Sequence, residues 1–115
     1  MSPDDCLDLP HAAPVAPPTV AVTVRERAAR MLSAAGEPSR LALLELLDGR
    51  ELCVSDLVAL TGDPMPTISQ RLRLLKTEGL LRSRRDGKHV FYTLADAHVR
   101  ELLTNILHHA AEPLG

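Results

Sequence analysis

A mainly α domain with one small β-hairpin is the fold class that this 115-residue sequence predicts. Three observations carry the reading. Apolar residues recur at steps of three and four along most of the chain, the period of helices that bury one face. Gly36, Gly49, Gly62 and Gly79 punctuate those runs where helices would end. One Asp86-Gly87 pair sits between two extended runs, a strong short-range hairpin signal.

The elements follow in order. Residues 1–18 hold Pro3, Pro10, Pro14, Pro17 and Pro18 without helical period, which predicts a flexible N-terminal arm. The folded domain is expected over 19–115. Its first helix spans 19–35, with Val20, Val24, Ala28, Met31 and Leu32 on one face. Glu37-Pro38-Ser39 opens a second helix, whose Leu41, Leu43, Leu44, Leu46 and Leu47 run up to Asp48-Gly49. A short helix over 54–60 begins near Cys53 or Ser55, and Thr61-Gly62 ends it. After the turn Asp63-Pro64-Met65, Pro66 suits the first position of a helix over 66–77. Ile68, Leu72 and Leu75 share one face of that helix. The runs 80–85 and 88–94 then flank Asp86-Gly87. A last helix spans about 96–111, with Val99, Leu102, Leu103, Ile106, Leu107 and Ala110 as its apolar stripe. Such a stripe packs on its own core or pairs with a second copy, and periodicity does not separate the two. Helix, short turn, helix and hairpin make a winged helix-turn-helix, expected to be dimeric through terminal helices.

Composition narrows the function. Hydrophobic residues at 45% and charged residues at 24% are a globular balance. The longest apolar runs fall short of the roughly 18 residues a membrane helix needs. Cys6 and Cys53 are too few for a disulfide framework and fit a reducing compartment. The first residues carry acids and no Lys or Arg, unlike a secretory signal, so a cytoplasmic location is expected.

The net charge of −2 conceals an asymmetry. Residues 67–89 carry seven Lys or Arg against Glu78 and Asp86, a net +5 that leaves −7 for the remainder. On helix 66–77 the face opposite the apolar one holds Thr67, Ser69, Gln70, Arg71, Arg73 and Lys76. Gln and Arg make bidentate contacts to base edges in the major groove. Thr67, Ser69 and Lys76 suit phosphate oxygens. Arg84, Arg85 and Lys88 at the hairpin tip would reach the adjacent backbone or minor groove. Double-stranded DNA is therefore the expected partner, read by a two-fold dimer because one helix spans only a few base pairs.

The last helix also carries Asp96, His98, His108, His109 and Glu112, donors suited to Zn²⁺. His98 and His109 are eleven residues apart, about 16 Å along a helix, so they cannot share an ion within one chain. Two such helices paired antiparallel would bring Asp96 and His98 of one to His109 and Glu112 of the other. Simpler roles compete: Asp96 as an N-cap, Glu112 as a solvated side chain, and the histidines as favourable charges at a helix C-terminus.

These residues resemble a known family. Glu51-Leu52-Cys53-Val54-Ser55-Asp56-Leu57 is similar to a signature of the ArsR/SmtB metal-sensing repressors. Residues 67–72 resemble their recognition helix and residues 85–92 their wing. Asp96-x-His98, followed by His109 and Glu112, matches the ligand spacing of the C-terminal-helix zinc site in the SmtB-like branch. The resemblance covers roughly residues 20–112. It implies a homodimer that represses metal-efflux or sequestration genes when metal-free and leaves its operator on binding Zn²⁺, Cd²⁺ or Co²⁺. A second site of the family would use Cys6 and His11 from the arm with Cys53 and Asp56. Ser55 stands where a three-thiolate version has its second cysteine, which leaves a mixed site suited to zinc or cadmium. A metal-independent or thiol-redox-responsive winged-helix regulator is the alternative, with Cys6 and Cys53 as its thiols. Enzyme activity is not expected, since four ligands closing a zinc shell leave no position for substrate.

Overall fold

The computed structural model describes residues 10–114, and several of its helix ends have a local cause. Residues 10–21 hold no helix or strand. Helix α1, Val22–Ala35, starts three residues later than the periodicity suggests, behind an Ala21 whose side chain cannot cap it. Helix α2, Pro38–Leu46, is capped by Glu37, whose carboxylate accepts from Ser39 N at 3.1 Å and Arg40 N at 2.9 Å. Helix α3, Val54–Thr61, closes on Gly62, which takes the left-handed φ of 77° that only glycine adopts freely.

Helix α4, Met65–Thr77, begins one residue earlier than predicted, with Pro64 as its N-cap. Pro66 therefore sits at the second helical position, where its missing N–H is still harmless because first-turn donors have no intrahelical partner. Strands β1, Leu81–Asp86, and β2, His89–Leu94, pair antiparallel, Leu81 opposite Leu94 and Asp86 opposite His89. The two-residue loop is thus Gly87-Lys88, one step beyond the Asp86-Gly87 reading. Gly87 takes φ 61° at the first loop position, the place where II′ hairpins need glycine. Helix α5, Ala97–Ala111, is capped by Asp96, whose side chain accepts from Val99 N at 3.0 Å.

One core joins these parts. Leu43, Leu44 and Leu47 from α2 and its end, Leu57 of α3, and Ile68, Leu72 and Leu75 of α4 are buried together. Leu80, Leu81 and Leu94 of the hairpin and Val99 and Leu103 of α5 complete it. A two-bond bridge between Leu52 and Tyr92 fastens the segment before α3 to β2.

The terminal helices behave differently from their periodicity. In α1 only Ala34 is buried, while Val22, Val24 and Leu32, with Val20 before it, stay exposed. In α5 the stripe divides: Val99 and Leu103 turn into the core, and Leu102 and Ile106 face outward, 46% and 52% exposed. No helix among the described residues is long and apolar enough to cross a membrane.

Glu37 gives a pH test of the fold. The N–H groups of Ser39 and then Arg40 hold its carboxyl below the usual carboxylate range. A carboxyl whose folded pKa is depressed stabilises fully above its unfolded value and loses that contribution as pH falls through the folded one. Glu37→Gln is expected to shrink the acid limb of a plot of Tm against pH. An acid limb unchanged from wild type would show that the cap contributes nothing to stability.

Candidate nucleic-acid interface and metal-ligand pairs

Burial of Ile68, Leu72 and Leu75 orients α4, so at 100° per residue Gln70, Arg73 and Thr77 point directly away from the core. Gln70, Arg73 and Lys76 are exposed, whereas Thr67, Ser69 and Arg71 lie half-buried on the flanks. Arg71 turns back toward the α3–α4 turn, where its Nη1 donates to Asp63 Oδ2 at 2.8 Å. That turn is fixed by Thr61, whose Oγ1 donates to Leu57 O at 2.7 Å and accepts from Asp63 N at 3.1 Å.

On the wing, Arg85 and Lys88 are exposed near the tip. Arg84 is exposed but engaged. Its Nε donates to Glu51 Oε2 at 2.8 Å, and its guanidinium carbon lies 5.1 Å from the centre of the Phe91 ring, a cation–π distance. Asp86 adds a weaker contact at 4.0 Å. Sequence reasoning missed Glu51 and Asp63 as parts of this face. Eight residues separate Asp63 from Arg71 and 33 separate Glu51 from Arg84, so only the tertiary fold joins them.

The α5 residues come together as two pairs. His98 Nδ1 lies 3.6 Å from Asp96 Oδ1 at one end, and His109 Nδ1 lies 3.4 Å from Glu112 Oε2 at the other. The His98 and His109 side chains are 92% and 78% exposed. Eleven residues amount to just over three full turns, so the two imidazoles lie on one exposed side of the helix, beside Leu102. His108 lies about 100° away from His109. Val99 N–H is the first cause, and His98 a lesser one, of an Asp96 carboxyl held below its usual range, hence ionised as metal ligands must be.

Among the described residues, no three of His, Cys, Asp or Glu lie close enough to hold one ion. Each pair supplies two donors. Two imidazoles and two carboxylates are a borderline-to-hard donor set that fits zinc and its neighbours.

Cys53 and Asp56 also meet, at the start of α3. Asp56 Oδ2 accepts from Cys53 N at 3.1 Å and lies 3.2 Å from Cys53 Sγ, which is 3.0 Å from Ser55 Oγ. These bonds from Cys53, backbone first, keep the Asp56 carboxyl below its usual range. His11 is exposed in the non-helical stretch before α1. Cys6 lies outside the described residues.

The family described as bacterial regulatory protein, arsR family, matches residues 37–83, which run from the cap of α2 into β1. The chain is 37% identical over 98 residues to the transcriptional repressor SmtB homolog of Synechocystis, covering 85% of this chain and 74% of that protein. A homodimeric winged helix-turn-helix DNA-binding domain from Mycobacterium bovis, a possible ArsR-family transcriptional regulator, superposes with a TM-score of 0.76 at 31% identity. It covers 81% of this chain and 86% of its own. The solution structure of apo-NmtR gives a TM-score of 0.68 at 31% identity, covering 91% and 89%. The winged helix-turn-helix, its outward basic face and these likenesses agree: the chain belongs to the arsR family of bacterial regulatory proteins, DNA-binding transcriptional regulators and not enzymes.

Proposed function

We propose that the chain is a metal-responsive repressor that holds operator DNA as a metal-free homodimer and releases it on binding zinc, or a similar ion such as Cd²⁺ or Co²⁺. The observation that carries this reading is the placing of two His–carboxylate pairs at opposite ends of one exposed face of α5. Asp96 and His98 of one chain, with His109 and Glu112 of its twin, would supply four ligands to each of two equivalent ions. A metal bound there supplies a cross-link between the two α5 helices. Because α5 packs on β2 through its inward residues, a change in how the α5 helices meet alters the spacing of the two α4 helices on DNA.

Gln70 and Arg73 are assigned to base edges, and Thr67, Ser69, Arg71, Lys76, Arg84, Arg85 and Lys88 to the phosphate backbone. Cys6 and His11 of the 1–18 arm, with Cys53 and Asp56, are assigned to a second site, which thiophilic Cd²⁺ would favour. Kinship with a protein named for SmtB supports metal sensing as the trigger.

Linkage supplies the test. If zinc lowers DNA affinity, DNA must lower zinc affinity by the same factor, typically about 5–150-fold. Zinc titrations of the free dimer and of the dimer on its promoter DNA are expected to differ by that factor. His108→Ala should leave the difference unchanged. Equal zinc affinities in the two titrations would overturn the mechanism.

A further inference from the structure

Seven basic residues between 67 and 89 suggest a strongly positive DNA face, yet the fold delivers two acids to it from outside that stretch. Asp63 holds Arg71 and Glu51 holds Arg84, each at 2.8 Å. With these two carboxylates counted, the face carries +3 and not +5. We infer that Glu51 and Asp63 act as resident substitutes for DNA phosphates, setting the strength and salt dependence of DNA binding by occupying Arg84 and Arg71 in the free protein. The inference rests on the reading of this face as the DNA interface and adds how its affinity is held down.

Geometry favours exchange over fixed positioning. Each hydrogen bond uses one guanidinium nitrogen, Nη1 of Arg71 and Nε of Arg84, and one carboxylate oxygen. The two-pronged arrangement that locks an arginine in one orientation is absent from both. Both carboxylates are partly exposed, so each pair is weak and salt-sensitive. Carboxylate and phosphate offer the same kind of acceptor to a guanidinium. An approaching duplex must therefore displace the carboxylate or bind beside it against repulsion. Either way the acid weakens the complex.

Arg84 has a second anchor that makes exchange feasible. Its contact with the Phe91 ring does not depend on Glu51, so the side chain keeps a place on the wing after its acid partner is lost. Arg71, on a flank of α4, stays within reach of the groove edge through its position on the helix.

The test uses metal-free full-length protein and a mixed-sequence duplex long enough to meet both α4 helices, since phosphate contacts need no particular sequence. Glu51→Gln and Asp63→Asn keep side-chain shape and remove the charge. Each is expected to raise affinity by up to about fivefold per chain, the ceiling for one weak pair, and so by up to about 25-fold for the dimer. Each should also steepen the plot of log affinity against log salt by about two units, because one more phosphate is neutralised by each chain of the dimer. Glu45→Gln serves as control, an exposed acid on α2 for which the structure gives no arginine partner, and should leave the slope alone. Circular dichroism confirms that the variants fold.

Unchanged affinity and slope, or weaker binding in folded variants, would overturn the inference; weaker binding would make the carboxylates positioning groups instead. A wild type and a double variant that both fail to bind the duplex would remove the DNA interface itself. A wild type that binds while the variants gain nothing sinks only the role of the two acids.

Discussion

A dimer of one His98→Ala chain and one His109→Ala chain is expected to bind one zinc ion where the wild-type dimer binds two. Each proposed site takes Asp96 and His98 from one chain and His109 and Glu112 from the other. Either substitution in both chains breaks both sites, because every site then lacks one imidazole. In the mixed dimer the two losses fall on the same site, and the second keeps all four ligands. Zinc stoichiometry on the isolated mixed dimer reads the result directly. No zinc, or two equivalents, would show that the ligands are not shared between chains in this way. The intact site should also retain part of the zinc-driven loss of DNA binding, which neither homodimeric variant shows.

The largest effect on stability is expected from Leu72→Ala. Leu72 is fully inaccessible on the inward face of α4, within the cluster that joins α2, α3 and the hairpin. Truncating a buried leucine removes its transfer energy and leaves a cavity, about 2–5 kcal/mol together. A small domain holds only about 5–15 kcal/mol in total. Tm should fall by roughly 10 °C or more. Leu74→Ala, on the same helix with a partly exposed side chain, should cost much less. A Leu72→Ala protein that melts within a degree or two of wild type would contradict the orientation of α4.

What the sequence made legible follows from distance along the chain. Ile68, Leu72 and Leu75 were readable as one buried face because helical period is a local signal, and all three are inaccessible. The hairpin was readable from its turn residues, displaced by one position because Asp-Gly and Gly-Lys loops use the same glycine differently. The α5 stripe could not be apportioned from spacing, since Leu102 and Leu103 fit one apolar band while facing different neighbours. Pairs such as Asp48–Arg100, 2.5 Å apart across 52 residues, leave no local trace at all. The same limit hid Glu51 and Asp63 from the basic face. At the two His–carboxylate pairs of α5, periodicity placed His98 and His109 on one helix, and the fold added that both side chains are exposed.

The divided stripe of α5 also makes abundance a variable of regulation. Val99 and Leu103 hold the helix to its own domain, while Leu102 and Ile106 gain shelter only from another chain. Association then follows mass action, and Tm should climb with protein concentration. In the dilute limit, halving the number of chains in a cell cuts the number of dimers about fourfold. Operator occupancy would then respond to gene dosage and to dilution by growth more steeply than a monomeric regulator could.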